Sequence, residues 1–145
     1  MEKIFNWGII GLGKIARKFA EDMQHLPNAK IHAVASTSLE RATAFAAEFG
    51  AQNAYGRYDD IVHCPGLDAV YIATPHILHT ENALLCLEHG IPVLCEKPFA
   101  MNLAEAKRMV STARRNRAFL MEGLWTRFIP AVDYALALAD QGAIG

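Results

Sequence analysis

The sequence carries almost no net charge, −1 over 145 residues, and no dense run of one sign. That excludes the electrostatic footprint of a nucleic-acid binder, whose phosphate contacts need clustered lysine and arginine. The one basic cluster, Arg114-Arg115-Asn116-Arg117, falls where a helix should end, a place where cations complement the helix dipole. Cysteine is scarce: Cys64, Cys86 and Cys95 are odd in number and show neither a CxxC nor a disulfide-framework spacing. Unpaired thiols point to a reducing, cytoplasmic setting. No apolar run reaches the ~18 residues of a membrane span and no secretory leader pattern heads the chain, so no membrane partner is expected. Low-complexity segments are missing too. What remains is 52% apolar and 20% charged, a globular composition with length for one domain and its own core.

The richest segment is Phe5-Asn6-Trp7-Gly8-Ile9-Ile10-Gly11-Leu12-Gly13-Lys14-Ile15-Ala16. An apolar strand runs into Gly-x-Gly-x-x-Ala, and an amphipathic helix follows, which is the dinucleotide fingerprint in its proper context. Gly11 permits the tight turn, Gly13 allows close backbone approach to a pyrophosphate, and Ala16 suits close helix-on-strand packing. The N–H groups around Lys14 and Ile15 then face the phosphates at the positive end of the helix dipole.

Strand and helix signals alternate along the rest of the chain. Strands are expected at 4–10, 30–35, 68–73, 92–95 and 118–121, with a short edge strand at 53–56. Helices are expected at 14–26, 39–49, 80–89, 102–115 and 128–139, with one helical turn at 59–63. On the first helix, Ile15, Phe19 and Met23 form the expected apolar stripe. Asn102-Leu103-Ala104-Glu105 reads as a capping box. The pattern predicts an α/β, doubly wound, mainly parallel sheet of Rossmann type in strand order 3-2-1-4-5-6, with its cleft over the carboxyl ends of the strands.

Several motifs fall at those carboxyl ends. Ser36-Thr37-Ser38 follows the second strand, where an NAD-preferring site would carry an acidic residue for the ribose 2′-hydroxyl. Hydroxyls in that place, with Arg41 one helical turn on, favour NADP(H) over NAD(H). In the bland alternative, Ser38 caps the helix and Arg41 is solvated. Thr74-Pro75-His76-Ile77-Leu78-His79 follows the fourth strand and Glu96-Lys97-Pro98 the fifth. His76 and His79 with Cys86 or Cys95 have the residue types for zinc, but those cysteines fall in a helix interior and a buried strand end, so no metal is expected.

With Gly11-x-Gly13-x-x-Ala16, Thr74-Pro75 with His79, and Glu96-Lys97-Pro98, the chain resembles the Gfo/Idh/MocA oxidoreductases over its whole length. Met121-Glu122-Gly123-Leu124-Trp125-Thr126-Arg127-Phe128 is similar to the subgroup of dihydrodiol and xylose dehydrogenases. The resemblance implies hydride transfer between NAD(P) and a secondary alcohol or hemiacetal carbon of a sugar-like or diol substrate. It implies that Lys97 touches the reacting hydroxyl and the nicotinamide ribose, with Glu96 holding Lys97 or the ribose. Thr74, Pro75, His76 and His79 would line the cofactor or active-site edge, with His79 beside Lys97 as a catalytic candidate. Trp125 would wall the pocket and Arg127 would lie near the cofactor. Trp125 reads nearly as well as core, Arg127 as an ion pair, and His79 as a helix-start histidine without a role. Many NADP-using relatives have Arg where Thr37 stands.

Family members are about twice as long as this chain. The resemblance implies that their second half supplies most substrate contacts, further catalytic residues and the homo-oligomer interface. Residues 1–145 are therefore expected to be the cofactor domain, able to fold and bind dinucleotide but not to turn over substrate. Leu124, Trp125, Phe128 and Ile129 are the expected exposed apolar patch. The rival readings are a non-catalytic NAD(P)-binding or redox-sensing module, and another Rossmann enzyme such as a SAM-dependent transferase.

Overall fold

The computed structural model describes residues 3–143. Its centre is a six-stranded, wholly parallel sheet: β1 Phe5–Ile10, β2 Ala29–Ala35, β3 Asn53–Tyr55, β4 Ala69–Ile72, β5 Val93–Glu96 and β6 Leu120–Gly123. The strands lie in the order β3-β2-β1-β4-β5-β6, as the sequence pattern predicts. The helices are α1 Lys14–Met23, α2 Leu39–Phe49, α3 His79–Glu88, α4 Leu103–Asn116 and α5 Pro130–Asp140.

Adjacent residues of a strand face opposite sides of the sheet, and both sides here are apolar. Ile9, Val34 and Tyr71 point to a layer that includes Ala16, Ala20 and Met23 of α1 and Ala42, Phe45 and Ala46 of α2. Their neighbours Ile10, Ala35 and Ile72 point the other way. There they join Ala83, Cys86 and Leu87 of α3, and Met109 and Ala113 of α4. The 3-10 turn Tyr58–His63 adds Ile61 to that second core.

The helix ends follow local chemistry. Ser38 caps α2, its hydroxyl accepting from the Arg41 N–H at 3.3 Å, and Gly50 closes it at φ 73°. Asn102 caps α4, accepting from the Glu105 N–H at 3.0 Å. Glu105 reaches back to the Asn102 side chain and the Met101 N–H, and accepts from the Thr80 hydroxyl at 2.8 Å, which fastens α4 to α3. These bonds hold its carboxyl below the usual range, the Thr80 contact foremost.

Three sequence expectations are corrected. The buried stripe of α1 is Ala16, Ala20 and Met23, whereas Ile15 is exposed. Small residues let α1 lie close on the sheet, and the bulky ones turn toward the cleft. Helix α1 ends at Met23 rather than Leu26, because Gln24, His25 and Leu26 donate to carbonyls three residues back and tighten the last turn. Strand β6 begins at Leu120 rather than Ala118, because the Ala118 N–H is spent on the Ala113 carbonyl at 3.0 Å, closing α4 around Arg117 at φ 53°. In addition, residues Trp125–Phe128 form a separate 3-10 turn before α5.

No residue of α5 is buried, and Tyr134 and Leu136 stand exposed on it. Leu124, Trp125 and Phe128 are exposed as expected, while Ile129 is half-buried. No helix among the described residues is long and apolar enough to cross a membrane.

The fully buried Leu87 joins α3 to the sheet. Leu87→Ala is expected to cost about 2–5 kcal/mol of unfolding free energy, transfer and cavity terms together. Urea melts of the two proteins would measure it, and a loss under about 1 kcal/mol would contradict this packing.

Candidate functional site

All six strands run the same way, so the loops after β1, β2, β4, β5 and β6 gather at one edge. Strand β1 pairs with β2 on one side and β4 on the other. The chain's crossovers diverge from that point, leaving a crevice over the carboxyl ends. Gly11 sits at its bottom with φ 86°, its N–H donating to the Ala35 carbonyl at 3.0 Å. A Cβ there would lie 2.8 Å from the Thr74 N and side chain. Only glycine fits, since both the backbone angle and the space forbid a side chain.

Gly13 differs. It is the N-cap of α1, and no side chain caps that helix end. A Cβ at Gly13 would meet nothing within 4 Å. The first N–H groups of α1 have no intrahelical acceptors, and the positive end of the dipole is open to the crevice. This uncapped, unobstructed loop fits a dinucleotide pyrophosphate, with Lys14 and Ile15 exposed on its rim.

Beyond the loop lies a cleft of about 690 Å³. It gathers Ile15, Thr74, His76, His79, Glu96, Lys97 and Trp125 of the expected residues. It also takes in Lys18, Phe19, Asp22 and Tyr71, which sequence reasoning missed as site residues. The missed signal was a second helical stripe: Ile15, Lys18, Phe19 and Asp22 recur at the spacing of one helix face. Tyr71 was hidden inside an apolar strand.

Strand β5 delivers the Glu96-Lys97-Pro98 turn to the cleft, and the Lys97–Pro98 peptide bond is cis. Lys97 is exposed and Glu96 half-buried. Glu96 Oε1 accepts from the Tyr71 hydroxyl at 2.5 Å, and Oε2 accepts from the Lys97 N–H at 3.1 Å. Glu122 of β6 accepts from the Phe99 N–H at 3.0 Å. His79, fully buried at the start of α3, has Nδ1 2.8 Å from the Pro98 carbonyl and Nε2 3.0 Å from the Thr74 carbonyl. Its two ring nitrogens face one carbonyl in each of the turns after β4 and β5, so neither nitrogen is turned to the cleft. His76 is exposed beside it, with ring centroids 5.5 Å apart. Asn82 steadies the same turn, donating to the Thr74 hydroxyl at 3.3 Å and the Leu78 carbonyl at 2.9 Å.

The loop after β2 forms a separate corner beside the glycines. Ser36 is buried, its hydroxyl accepting from the Ser38 N–H at 3.4 Å, and Ser38 is spent as the α2 cap. Thr37 and Arg41 are exposed there, with Arg41 Nη2 donating to the Leu12 carbonyl at 3.4 Å. Pro75 is exposed in the turn after β4, and Arg127 is exposed in the 3-10 turn next to Trp125, outside the cleft lining. Burial pushes the Cys86 and Cys95 thiols up to about 12, which keeps them neutral core fillers. Among the described residues no three His, Cys, Asp or Glu side chains gather as metal ligands.

Comparison with known proteins agrees with this geometry. Residues 5–124 match the GFO/IDH/MocA oxidoreductase family with an NAD-binding Rossmann fold. The trans-1,2-dihydrobenzene-1,2-diol dehydrogenases of Mus musculus and Homo sapiens are 43% and 40% identical over 141 residues, 96% of this chain. The chain spans 42% of the length of each. Among solved structures, the 3-ketoreductase KijD10 of Actinomadura kijaniata, in complex with TDP-benzene and NADP, superposes with a TM-score of 0.90 at 30% identity. The match covers 99% of this chain and 45% of that one. The scyllo-inositol dehydrogenase of Lactobacillus casei with NAD(H) and scyllo-inositol gives 0.89 at 27% identity, covering 99% and 43%.

The two glycines are expected to fail differently. Gly11→Ala forces a Cβ into Thr74 at positive φ, so it should lower the melting temperature by several degrees, the scale of a loss of about 1–3 kcal/mol. Gly13→Ala should leave melting unchanged but weaken NAD(P)H binding about tenfold or more by standing where the backbone must be approached. Calorimetry and fluorescence titration measure the pair. Equal thermal losses, or unimpaired dinucleotide binding by Gly13→Ala, would contradict this geometry.

Proposed function

The chain belongs to the Gfo/Idh/MocA oxidoreductase family as an NAD-binding Rossmann domain, and from that premise we propose that it holds NADP(H) in preference to NAD(H) for dehydrogenation of a sugar-like or diol secondary alcohol. The observation that carries the reading is the exposed Lys97, set by the Glu96-Lys97-Pro98 turn in the cleft next to the uncapped glycine loop.

Gly11, Gly13, Lys14 and Ile15 would hold the pyrophosphate. Thr37 and Arg41 would face the adenosine ribose, with no carboxylate at Ser36 to repel a 2′-phosphate. The buried Ser36 contributes by lacking charge more than by contact. Thr74, Pro75, His76, Trp125 and Arg127 would edge the nicotinamide half. When bound, the nicotinamide supplies the hydride acceptor or donor. Lys97 stabilises negative charge developing on the substrate oxygen, a role its exposed ammonium suits. His79 holds the Thr74 and Pro98 turns in register around it. The cleft's aromatic wall, Phe19, Tyr71 and Trp125, offers faces for the apolar side of a ring-shaped diol or sugar. Three buried, unpaired cysteines support a reducing compartment such as the cytoplasm.

Two measurements test this. NADPH should bind about tenfold or more tightly than NADH, the value of one charge-assisted contact of ~1.5–3 kcal/mol. Arg41→Ala should erase the preference, and an unchanged ratio would refute the assignment. In a catalytically active protein carrying this domain, Lys97→Ala should cut kcat ~10²-fold with dinucleotide affinity nearly unchanged. Near-normal turnover by that variant would remove Lys97 from the chemistry.

A further inference from the structure

Tyr71 is buried in β4, 2% exposed, beneath the cleft. Its ring stacks on Phe19 of α1 with centroids 4.1 Å apart and planes inclined by 20°. Parallel pairing sets Tyr71 opposite Leu94, two residues short of Glu96, so only a long side chain reaches the turn. A phenylalanine would fill the same space but bring no donor.

The Tyr71 hydroxyl reaches Glu96 Oε1 at 2.5 Å, and the other carboxylate oxygen takes the Lys97 N–H. Burial, and then the Glu96 carboxylate, push the phenol well above its ordinary range, so it stays protonated as a donor. The rest of the turn has other anchors, His79 at the Pro98 carbonyl and Glu122 at the Phe99 N–H. The Lys97 N–H donates to the Glu96 carboxylate, at the point where β5 stops pairing with β6. That carboxylate is half-buried, and its far oxygen is held by the Tyr71 hydroxyl.

We propose that Tyr71 is a positioning residue that, through Glu96, fixes the backbone at Lys97 and so sets where the Lys97 ammonium stands in the cleft. The catalytic consequence rests on the reading of Lys97 given above, while the structural linkage does not. Tyr71→Phe removes one oxygen and keeps the ring under Phe19.

Amide hydrogen exchange by NMR on the 145-residue chain tests the linkage without any turnover. Tyr71→Phe is expected to speed exchange at the Lys97 amide about tenfold, the scale of one hydrogen bond to a charged group. The Val70 and Ile72 amides should keep their rates. Glu96→Ala should speed the Lys97 amide as well, and adding Tyr71→Phe to it should change nothing more. An unchanged Lys97 rate, a general acceleration that includes Val70 and Ile72, or additive effects of the two substitutions would each overturn the proposal. In an active protein carrying this domain, Tyr71→Phe should lower kcat several-fold with dinucleotide affinity unchanged. Faster exchange with normal kcat would overturn the role of Lys97 and leave the Tyr71–Glu96–Lys97 linkage standing.

Discussion

Strands β1 and β4 are neighbours although two strands and two helices separate them in sequence. Their parallel pairing brings Gly11, at the end of one, against the backbone of Ala73 and Thr74, at the end of the other. The contact leaves no room for a side chain, so the two chain ends meet backbone to backbone. The glycine loop, the Thr74 turn and the crevice between them all follow from it. Shift β4 by one residue and Tyr71 would face α3 while Ile72 faced the cleft side, since successive strand residues point to opposite faces.

Upon this base the site is held by polar ties among strand ends, the start of α3 and the turns after β4 and β5. His79 joins the turns after β4 and β5, Glu122 joins β6 to the turn after β5, and Tyr71 joins β4 to Glu96. Each tie crosses from one strand or helix to another, so the cleft is rigid where its supporting sheet is rigid. His79 and Tyr71 are buried, where an unmade hydrogen bond is costly and a made one specifies geometry. The outer wall is different. Trp125, Phe128, Tyr134 and Leu136 stand open.

Much of the architecture was legible beforehand because its causes are local. The Gly11–Ala16 fingerprint, the Asn102 cap and the Gly50 stop act within a few residues of themselves. Strand order followed from alternation of strands and helices together with the dinucleotide fingerprint after β1, which marks the doubly wound fold of that order. Of the expected stripe Ile15, Phe19 and Met23, Met23 is buried, Phe19 packs half-buried against the core and Ile15 is exposed, because hydrophobicity alone does not mark the buried side of α1. The sheet instead took the small residues Ala16 and Ala20, and left Ile15 and Phe19 to the cleft. The motif residues Lys97, Glu96 and Thr74 were found by their place at strand ends, and Tyr71 was not, because a tyrosine inside an apolar strand looks like any other core residue.

The sequence by itself determined the elements, their order and the chemistry available at the strand ends, since periodicity, capping and turn preferences are short-range. Tertiary structure alone decided which groups are spent and which are free. Ser36 looks like a contact for a ligand yet is buried, and His79 looks like an acid–base group yet has both ring nitrogens against carbonyls. For His79 and Tyr71 the deciding partners, Pro98 and Glu96, lie 19 and 25 residues along the chain, and only the packed sheet brings them within hydrogen-bonding distance.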